Sequence, residues 1–404
     1  MGPFASGSFR LYSLAQLLSF TALVGQMIVR GFMVEQQTGS PFLVSLVPSL
    51  HLLPGLVIGP AGGFLADRFD RRMIVFYGEI MLVIAYLSLA VLSLSNQVQT
   101  WHILATTLLM GIAYSLASPS RQSLIVDTVP KNLERRAVGS YMLIMHITLL
   151  LAPAIVGYLL MGPGAPWALM VTGIIAISTL PFYFRIRVIG SAAEVIRSNI
   201  IESTKAGFRE IVTNPDLRWM FVILIIVLLF ANTWGATFPR LAIGVLDRGA
   251  GGLAAIGLAV GIGAIIGAIA SLWFEGRVSD ARLQFGAALL FAILIIGVAL
   301  SNSYLLTLLL TVAASTAGAP FFINNMIASQ VASPNERRAS VISVRYIVLS
   351  TQPIGMILLG AVAESVGVQF ALAGSSFIGV VLILALAISV KMSSRNTSPN
   401  VTQP

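Results

Sequence analysis

The sequence predicts an all-α membrane protein: twelve transmembrane helices arranged as two pseudo-symmetric six-helix bundles. Three observations predict it. The 404 residues are 57% hydrophobic and only 10% charged, against about 45–50% and about 25% in ordinary soluble domains. Apolar runs of about 20 residues, the length that crosses a bilayer, recur twelve times. The segment Glu134-Arg135-Arg136-Ala137 returns as Glu336-Arg337-Arg338-Ala339, an offset of 202 that is half the chain length.

A mean hydropathy of +0.92 leaves lipid as the solvent for this much apolar surface. It excludes a soluble enzyme, a nucleic-acid binder and a disordered tail protein. Twelve spans also leave no room for a large soluble domain. The chain has no cysteine and three histidines, which argues against disulfides, thiolate chemistry and a structural metal site. No cofactor is expected, and there is no G-x-x-x-x-G-K-[ST] loop to hydrolyse ATP. H-E-x-x-H and G-x-S-x-G are absent too, which argues against those hydrolase classes.

The expected spans cover residues 10–35, 41–65, 73–95, 101–126, 137–161, 166–186, 218–243, 251–275, 283–301, 304–328, 339–364 and 368–391. Residues 1–186 then form one bundle and 218–391 the other. Between them, 187–217 is a polar linker in which Ile196, Ile200, Ile201, Phe208 and Ile211 recur at helical spacing among Glu194, Arg197, Glu202, Lys205, Arg209 and Glu210. That pattern predicts an amphipathic helix on the membrane surface. Residues 392–404 are rich in Ser, Asn, Thr and Pro and are expected to be disordered.

The net charge of +9 comes from 24 Lys+Arg and 15 Asp+Glu. Arg68, Arg71, Arg72, Lys131, Arg135, Arg136, Arg187, Arg277, Arg282, Arg337 and Arg338 all fall in alternate loops on one side. Arg240 and Arg248 alone are placed on the other, and Arg30 lies within the first span. Basic loops stay in the cytoplasm, so both termini are expected there, in an inner or plasma membrane. The second repeat signal supports the duplication: Pro130 and Pro334 precede the two ERRA copies, and Leu151-Ala152-Pro153 is echoed by Thr351-Gln352-Pro353. Duplicated bundles around a shared midplane site are a transporter architecture.

The most specific motif is Gly63-Phe64-Leu65-Ala66-Asp67-Arg68-Phe69-Asp70-Arg71-Arg72, between spans 2 and 3. It resembles the loop signature G-x-L-A-D-R-x-G-R-R of the major facilitator superfamily, with Asp70 in place of the second glycine. That replacement, with Pro119-Ser120-Arg121-Gln122, Asp127-Thr128-Val129-Pro130 and Thr38-Gly39-Ser40-Pro41, is similar to the drug and siderophore exporter branch. The resemblance covers nearly all of 1–391. It implies twelve helices in two bundles, alternating access, and proton-coupled export of small amphipathic molecules. It also implies a latch between the halves: Gly63, Asp67, Arg68, Arg71 and Arg72 in the loop, with Asp67 at the start of span 11 near Ala339. On physical grounds, Gly62 and Gly63 allow close helix approach, Asp67 suits a helix N-terminus, and Arg71 or Arg72 can pair with Asp127. The alternative is that these arginines only set topology. Gly276-Arg277-Val278-Ser279-Asp280-Ala281-Arg282 is a worn counterpart in the second half.

Ala152-Pro153-Ala154-Ile155-Val156-Gly157 in span 5 resembles the G-P-x-x-G-G motif of antiporters, with Ala152 and Val156 replacing glycines. Pro153 bends the helix and its small neighbours permit close packing. In span 8, Gly257/Gly261 and Gly263/Gly267 read as packing positions.

Ionisable and polar residues inside the spans are the candidates for substrate or proton binding. Arg30 shares a face with Gln26 and can bind an anion or neutralise Glu35. His146, near mid-span, is a candidate proton carrier. Glu79 and Arg345 are placed to pair. Tyr114, Asn232, Trp234, Asn324 and Asn325 either line a mixed pocket or bond helix to helix. No carboxylate stands in the middle of span 1, where many exporters of this type carry one, so the proton site stays open. The expected partners are the lipid bilayer, a small-molecule substrate and protons, with the chain acting as a monomer. A lipid translocator or nutrient importer of the same superfamily is the alternative. A membrane-embedded enzyme or receptor would need a catalytic cluster that the sequence does not supply.

Overall fold

The computed structural model describes residues 2–187, 200–274, 276–334 and 337–396, apart from the side chains at 67, 135, 200, 201, 203, 339 and 393–396. Within them, twelve helices are long and apolar enough to cross a membrane. They are Gly7–Thr38 (span 1), Pro41–Ala66 (2), Arg71–Leu94 (3), Thr100–Asp127 (4), Arg136–Met161 (5) and Ala165–Arg185 (6). The second half adds Pro215–Val245 (7), Gly249–Phe274 (8), Asp280–Leu300 (9), Tyr304–Val331 (10), Ser340–Val366 (11) and Val368–Met392 (12). All the expected limits fall within a turn of these. The helix of span 12 runs on to Asn396, into the segment 392–404 expected to be disordered. Residues 397–404 lie outside the described residues.

Local chemistry explains the span ends. Ser6 accepts from Phe9 N at span 1, Ser40 from Leu43 N at span 2, and Asn214 from Asp216 N at span 7. These are N-caps that satisfy otherwise orphaned donors. Gly39 closes span 1 with φ +60, a backbone conformation that a side chain disfavours. Asp70 caps span 3 by accepting from Arg72 N at 2.9 Å. The aspartate in the glycine position of the loop motif is therefore a helix cap.

Four spans are interrupted, which the periodicity of the sequence does not predict. Span 2 divides at Leu53 into Pro41–Leu52 and Pro54–Arg68. Span 6 divides at Ser178 and Thr179. Span 11 divides at Ser350 and Thr351 into Arg338–Leu349 and Gln352–Val366. In each, a proline (Pro54, Pro181 or Pro353) opens the second piece, where its missing N–H costs nothing. Span 7 has two π-helical turns, Val227–Ala231 and Leu241–Val245, around a 3-10 turn at Trp234–Thr237. Such breaks are tolerated in a membrane where neighbouring groups re-satisfy the backbone. Here Gln352 Nε2 donates to Asn232 O at 2.8 Å, joining the breaks of spans 11 and 7.

The packing repeats between halves. Spans 2 and 4, 3 and 4, and 3 and 6 pack together, and so do 8 and 10, 9 and 10, and 9 and 12. Separate apolar cores fill the two halves. The halves meet mainly where span 2 packs on span 11 and span 5 on span 8. Those two contacts exchange when each span number is shifted by six, as a pseudo-twofold requires.

The helix expected in the linker is present as Ile200–Thr213. Its Gly207 lies against the main chain of Ser340, so this helix docks on the start of span 11 rather than on lipid alone. Residues 188–199, with Glu194, Ile196 and Arg197, lie outside the described residues. So does Glu336 of the second ERRA copy.

Candidate functional site

The first half holds a buried ion pair. Arg121 of span 4 reaches Glu79 of span 3 at 2.7 Å, with side chains 2% and 1% exposed. Ser19 Oγ donates to Glu79 Oε1 at 2.7 Å and Tyr183 Oη donates to it at 3.2 Å. Gln16 Nε2 donates to Tyr183 Oη, and Tyr12 Oη donates to Arg121 O. Glu79 Oε2 and Arg121 Nε and Nη2 are buried with no protein partner. The pair is thus desolvated but not fully hydrogen-bonded.

The second half has a neutral counterpart. Asn325 of span 10 donates to Gln284 Oε1 of span 9 and to Met220 O of span 7, each at 2.9 Å. Asn325 and Gln284 follow Arg121 and Glu79 by 204 and 205 positions, close to the repeat offset. Arg345 of span 11 donates to Asn325 Oδ1. The expected Glu79–Arg345 pairing is therefore corrected: each belongs to its own half. Adjacent Asn324 donates to Asp280 Oδ1 at 2.7 Å, at the start of span 9.

Arg30 is fully buried. It donates to Gln26 Oε1, Ile103 O, Thr106 Oγ1, Thr107 Oγ1 and Ala85 O, at 2.7–3.3 Å. Gln26 in turn donates to Thr172 Oγ1 and Leu169 O. Arg30 therefore does not neutralise Glu35. It sews span 1 to spans 3 and 4, and Gln26 sews it to span 6. Glu35 instead meets Arg240 of span 7 at 2.8 Å, and this bond joins the two halves. Nothing in the sequence pairs residues 205 positions apart.

The face opposite the arginine-rich loops is closed. Besides Glu35–Arg240, Ser40 Oγ donates to Glu364 Oε1, and Phe42 N donates to the same oxygen at 3.4 Å. Gly31 lies against Pro239 and Gly360 against Ser45. Gly157 meets Ala254, and Pro153 fills the space beside Gly257, where a Cβ would lie 2.8 Å from its Cγ. Pro153 and Gly157 of the antiporter-like segment are thus part of the contact between halves, and Ala152 is buried. Gly263 and Gly267 face the backbone of span 10 instead, within the second half.

At the arginine-rich face the loop is braced within its own half. Arg71 pairs with Asp127 at 2.9 Å and donates to Ala66 O at 3.2 Å. Arg72 pairs with Asp70 at 3.1 Å and donates to Ile186 O. Arg68 stacks over Phe64, 4.1 Å from the ring. Gly62 approaches span 4, where a Cβ would lie 2.6 Å from Leu116 O, but Gly63 faces open space. The close approach expected at Gly63 is therefore not made here. The side chains of Asp67 and Ala339 lie outside the described residues.

Between these faces the halves touch through polar and aromatic groups. Tyr346 Oη donates to Gln122 Oε1 of span 4 at 2.5 Å. Gly55 lies beside Ser350 Oγ at the breaks of spans 2 and 11. Tyr114 is half-buried and packs against Phe20 and His51, and Phe20 against Tyr141. Asn232 is half-buried. Trp234 is buried between Phe238 and Phe291, so it packs the second half rather than lining a pocket. His146 is half-buried and, among the described residues, its Nδ1 bonds only to Met142 O of its own helix, at 2.8 Å. Sequence reasoning missed Arg240, Gln284 and the Gln122–Tyr346 bridge. Only Arg240 had a signal: it is a basic residue on the side that basic residues avoid.

Comparison with known proteins agrees with this architecture. A family model described as "Transmembrane secretion effector" matches residues 1–403. Macrolide efflux protein A of Streptococcus pyogenes is 23% identical over 379 residues, covering 90% of this chain and 91% of the relative. The staphyloferrin A transporter of Staphylococcus aureus is 23% identical over 391 residues, covering 92% and 94%. Among solved structures, a bacterial homologue of the human lysosomal transporter Spinster, inward-facing and unoccupied, matches with a TM-score of 0.73. It is 16% identical and covers 98% of both chains. Family and relatives are transporters, not enzymes. The chain belongs to the transmembrane secretion effector family, within the major facilitator superfamily, and is a multi-pass membrane transporter.

Proposed function

We propose that the chain is a proton-coupled exporter of small amphipathic molecules that works by alternating access as a monomer in the cell membrane. The arginine-rich loops and both termini are cytoplasmic, by the excess of Lys and Arg there. The observation that carries this reading is the asymmetry of closure. Glu35–Arg240, Ser40–Glu364 and the span 5–span 8 contact seal the outer face, while at the inner face a Cβ on Gly63 would meet nothing within 4 Å. That is an inward-facing arrangement. Rocking one half against the other would break the outer bonds and bring the Gly63–Arg72 loop to span 11, with Asp67 at its first turn. Glu35 and Glu79 are the buried carboxylates among the described residues. Both keep one oxygen unpartnered; Glu79 is the better proton carrier, because its protonation would free Arg121, which is as buried as the acid, whereas Arg240 beside Glu35 is 33% exposed. Export rather than uptake is favoured by the Pro153 segment and by the efflux named for the Streptococcus pyogenes relative.

A second reading, lipid translocation, has one observation in its favour. An apolar cleft of about 300 Å³ between spans 7, 11 and 12 is lined by Leu229, Phe230, Ile354, Leu358, Phe370 and Ile378. The test is reconstitution in liposomes with imposed gradients. Efflux of a dye that collapses with a protonophore, without ATP, supports proton-coupled export. Efflux indifferent to every ion gradient, or movement of lysolipid alone, contradicts it.

A further inference from the structure

We propose that Arg345 is the anion-recognising residue of the transport pathway, and that the substrate carries a carboxylate or a comparable anionic group. The inference rests on the exporter reading and names the substrate class for it.

Three arginines are buried within the spans among the described residues: Arg30, Arg121 and Arg345. A cation inside a membrane is costly and needs compensation. Arg30 is surrounded by five neutral acceptors. Arg121 has the carboxylate of Glu79. Arg345 has neither. Among the described residues it makes one hydrogen bond, from Nη1 to Asn325 Oδ1, and no described carboxylate lies within 4.0 Å of it.

The duplication sharpens the contrast. Where the first half places Arg121 and Glu79, the second places Asn325 and Gln284. The second half thus lacks the internal carboxylate yet keeps a cation, carried on the neighbouring helix. Both Asn325 N–H bonds are already committed to Gln284 and Met220, so its amide fixes the Arg345 guanidinium in place.

The guanidinium is also reachable. Arg345 is 7% exposed, and none of its nitrogens is both buried and unpartnered. Its remaining N–H groups therefore face accessible space. Tyr346, next in sequence, bridges to Gln122 of the other half, so Arg345 stands beside the seam between halves. It lies seven residues into the helix that starts at Arg338, about 10 Å along the axis. A planar guanidinium with free donors at that depth matches a carboxylate in two-point geometry.

The test uses two xanthene dyes, anionic carboxyfluorescein and cationic rhodamine 6G, bound to the purified full-length protein and read by fluorescence anisotropy. Wild-type protein is expected to bind carboxyfluorescein, and Arg345→Gln to raise its Kd roughly 10–100-fold, as loss of a charge-assisted bond does. Rhodamine 6G binding should not weaken. Asn325→Asp is the second variant. It keeps Arg345 but presents a carboxylate at its Nη1, and is expected to cause a similar loss of carboxyfluorescein binding; it also gives up the bonds to Gln284 and Met220, so its unfolding temperature falls, and retained rhodamine 6G binding shows that the fold persists. A wild-type protein that does not bind carboxyfluorescein, or variants that bind it as wild type does, would overturn the proposal. Dye that binds through Arg345 yet crosses no vesicle under any gradient would leave this proposal standing and defeat the exporter reading.

Discussion

Glu35 of span 1 and Arg240 of span 7 stand 2.8 Å apart and tie the two halves together at the outer face. The carboxylate is 2% exposed and the guanidinium 33%, so the acid depends on the base more than the reverse. Removing Arg240 leaves a buried charge uncompensated. Arg240→Gln is expected to shift the population toward the outward-open form by roughly three- to thirtyfold, between the limits for exposed and buried pairs. The exchange Glu35→Arg with Arg240→Glu should restore part of it. The chain has no cysteine, so disulfide trapping of paired cysteines across the outer face reads this directly.

The buried pair Glu79–Arg121 gives a stability prediction. Glu79→Ala leaves Arg121 buried without a counter-charge and is expected to cost about 3–5 kcal/mol. The double change Glu79→Gln with Arg121→Asn copies the neutral Gln284–Asn325 pair of the second half. It should recover most of that loss in thermal unfolding, yet abolish proton-driven transport. Normal coupling in the double variant would remove Glu79 from the mechanism.

Glycines of span 8 separate gate from core. Gly257 faces Pro153 of the other half, whereas Gly267 faces Thr316 O of its own half, where a Cβ would lie 2.5 Å away. Gly257→Val should hold the outer face open while the protein still folds. Gly267→Val should lower the unfolding temperature instead, because backbone cannot move aside as a side-chain tip can. Accessibility labelling and thermal unfolding together distinguish the two.

Most of the fold was legible in the sequence because lipid imposes a simple rule: about 20 apolar residues, then a break. Pairing was less legible. Arg30 had Glu35 within reach along its own helix, but the helix turned Arg30 toward the hydroxyls of Thr106 and Thr107. Glu79 had several candidate arginines, and periodicity does not say which neighbouring helix faces it. The breaks in spans 2, 6 and 11 were hidden because proline is tolerated inside membrane helices. Asp127 was the exception. Its place at the end of span 4 put it beside the next basic loop, and Arg71 meets it.

The loop at the inner face gives a further prediction. Asp127→Asn removes the partner of Arg71 but leaves the bond from Arg71 to Ala66 O, so transport should fall only severalfold. Asp67→Asn should lower transport more than tenfold while membrane insertion, measured by yield in the membrane fraction, stays at wild-type level. Wild-type transport by the Asp67 variant would remove the latch.

Spin-label distances across both faces provide the most direct measurement. One pair joins residues 96 and 302 at the outer loops, the other residues 131 and 337 at the inner loops, all exposed. Without a gradient the outer distance should be short and the inner long. Arg240→Gln, or substrate with an imposed proton gradient, should lengthen the outer distance and shorten the inner one together. Distances that stay fixed, or that lengthen on both faces at once, would contradict a transporter that rocks about its midplane.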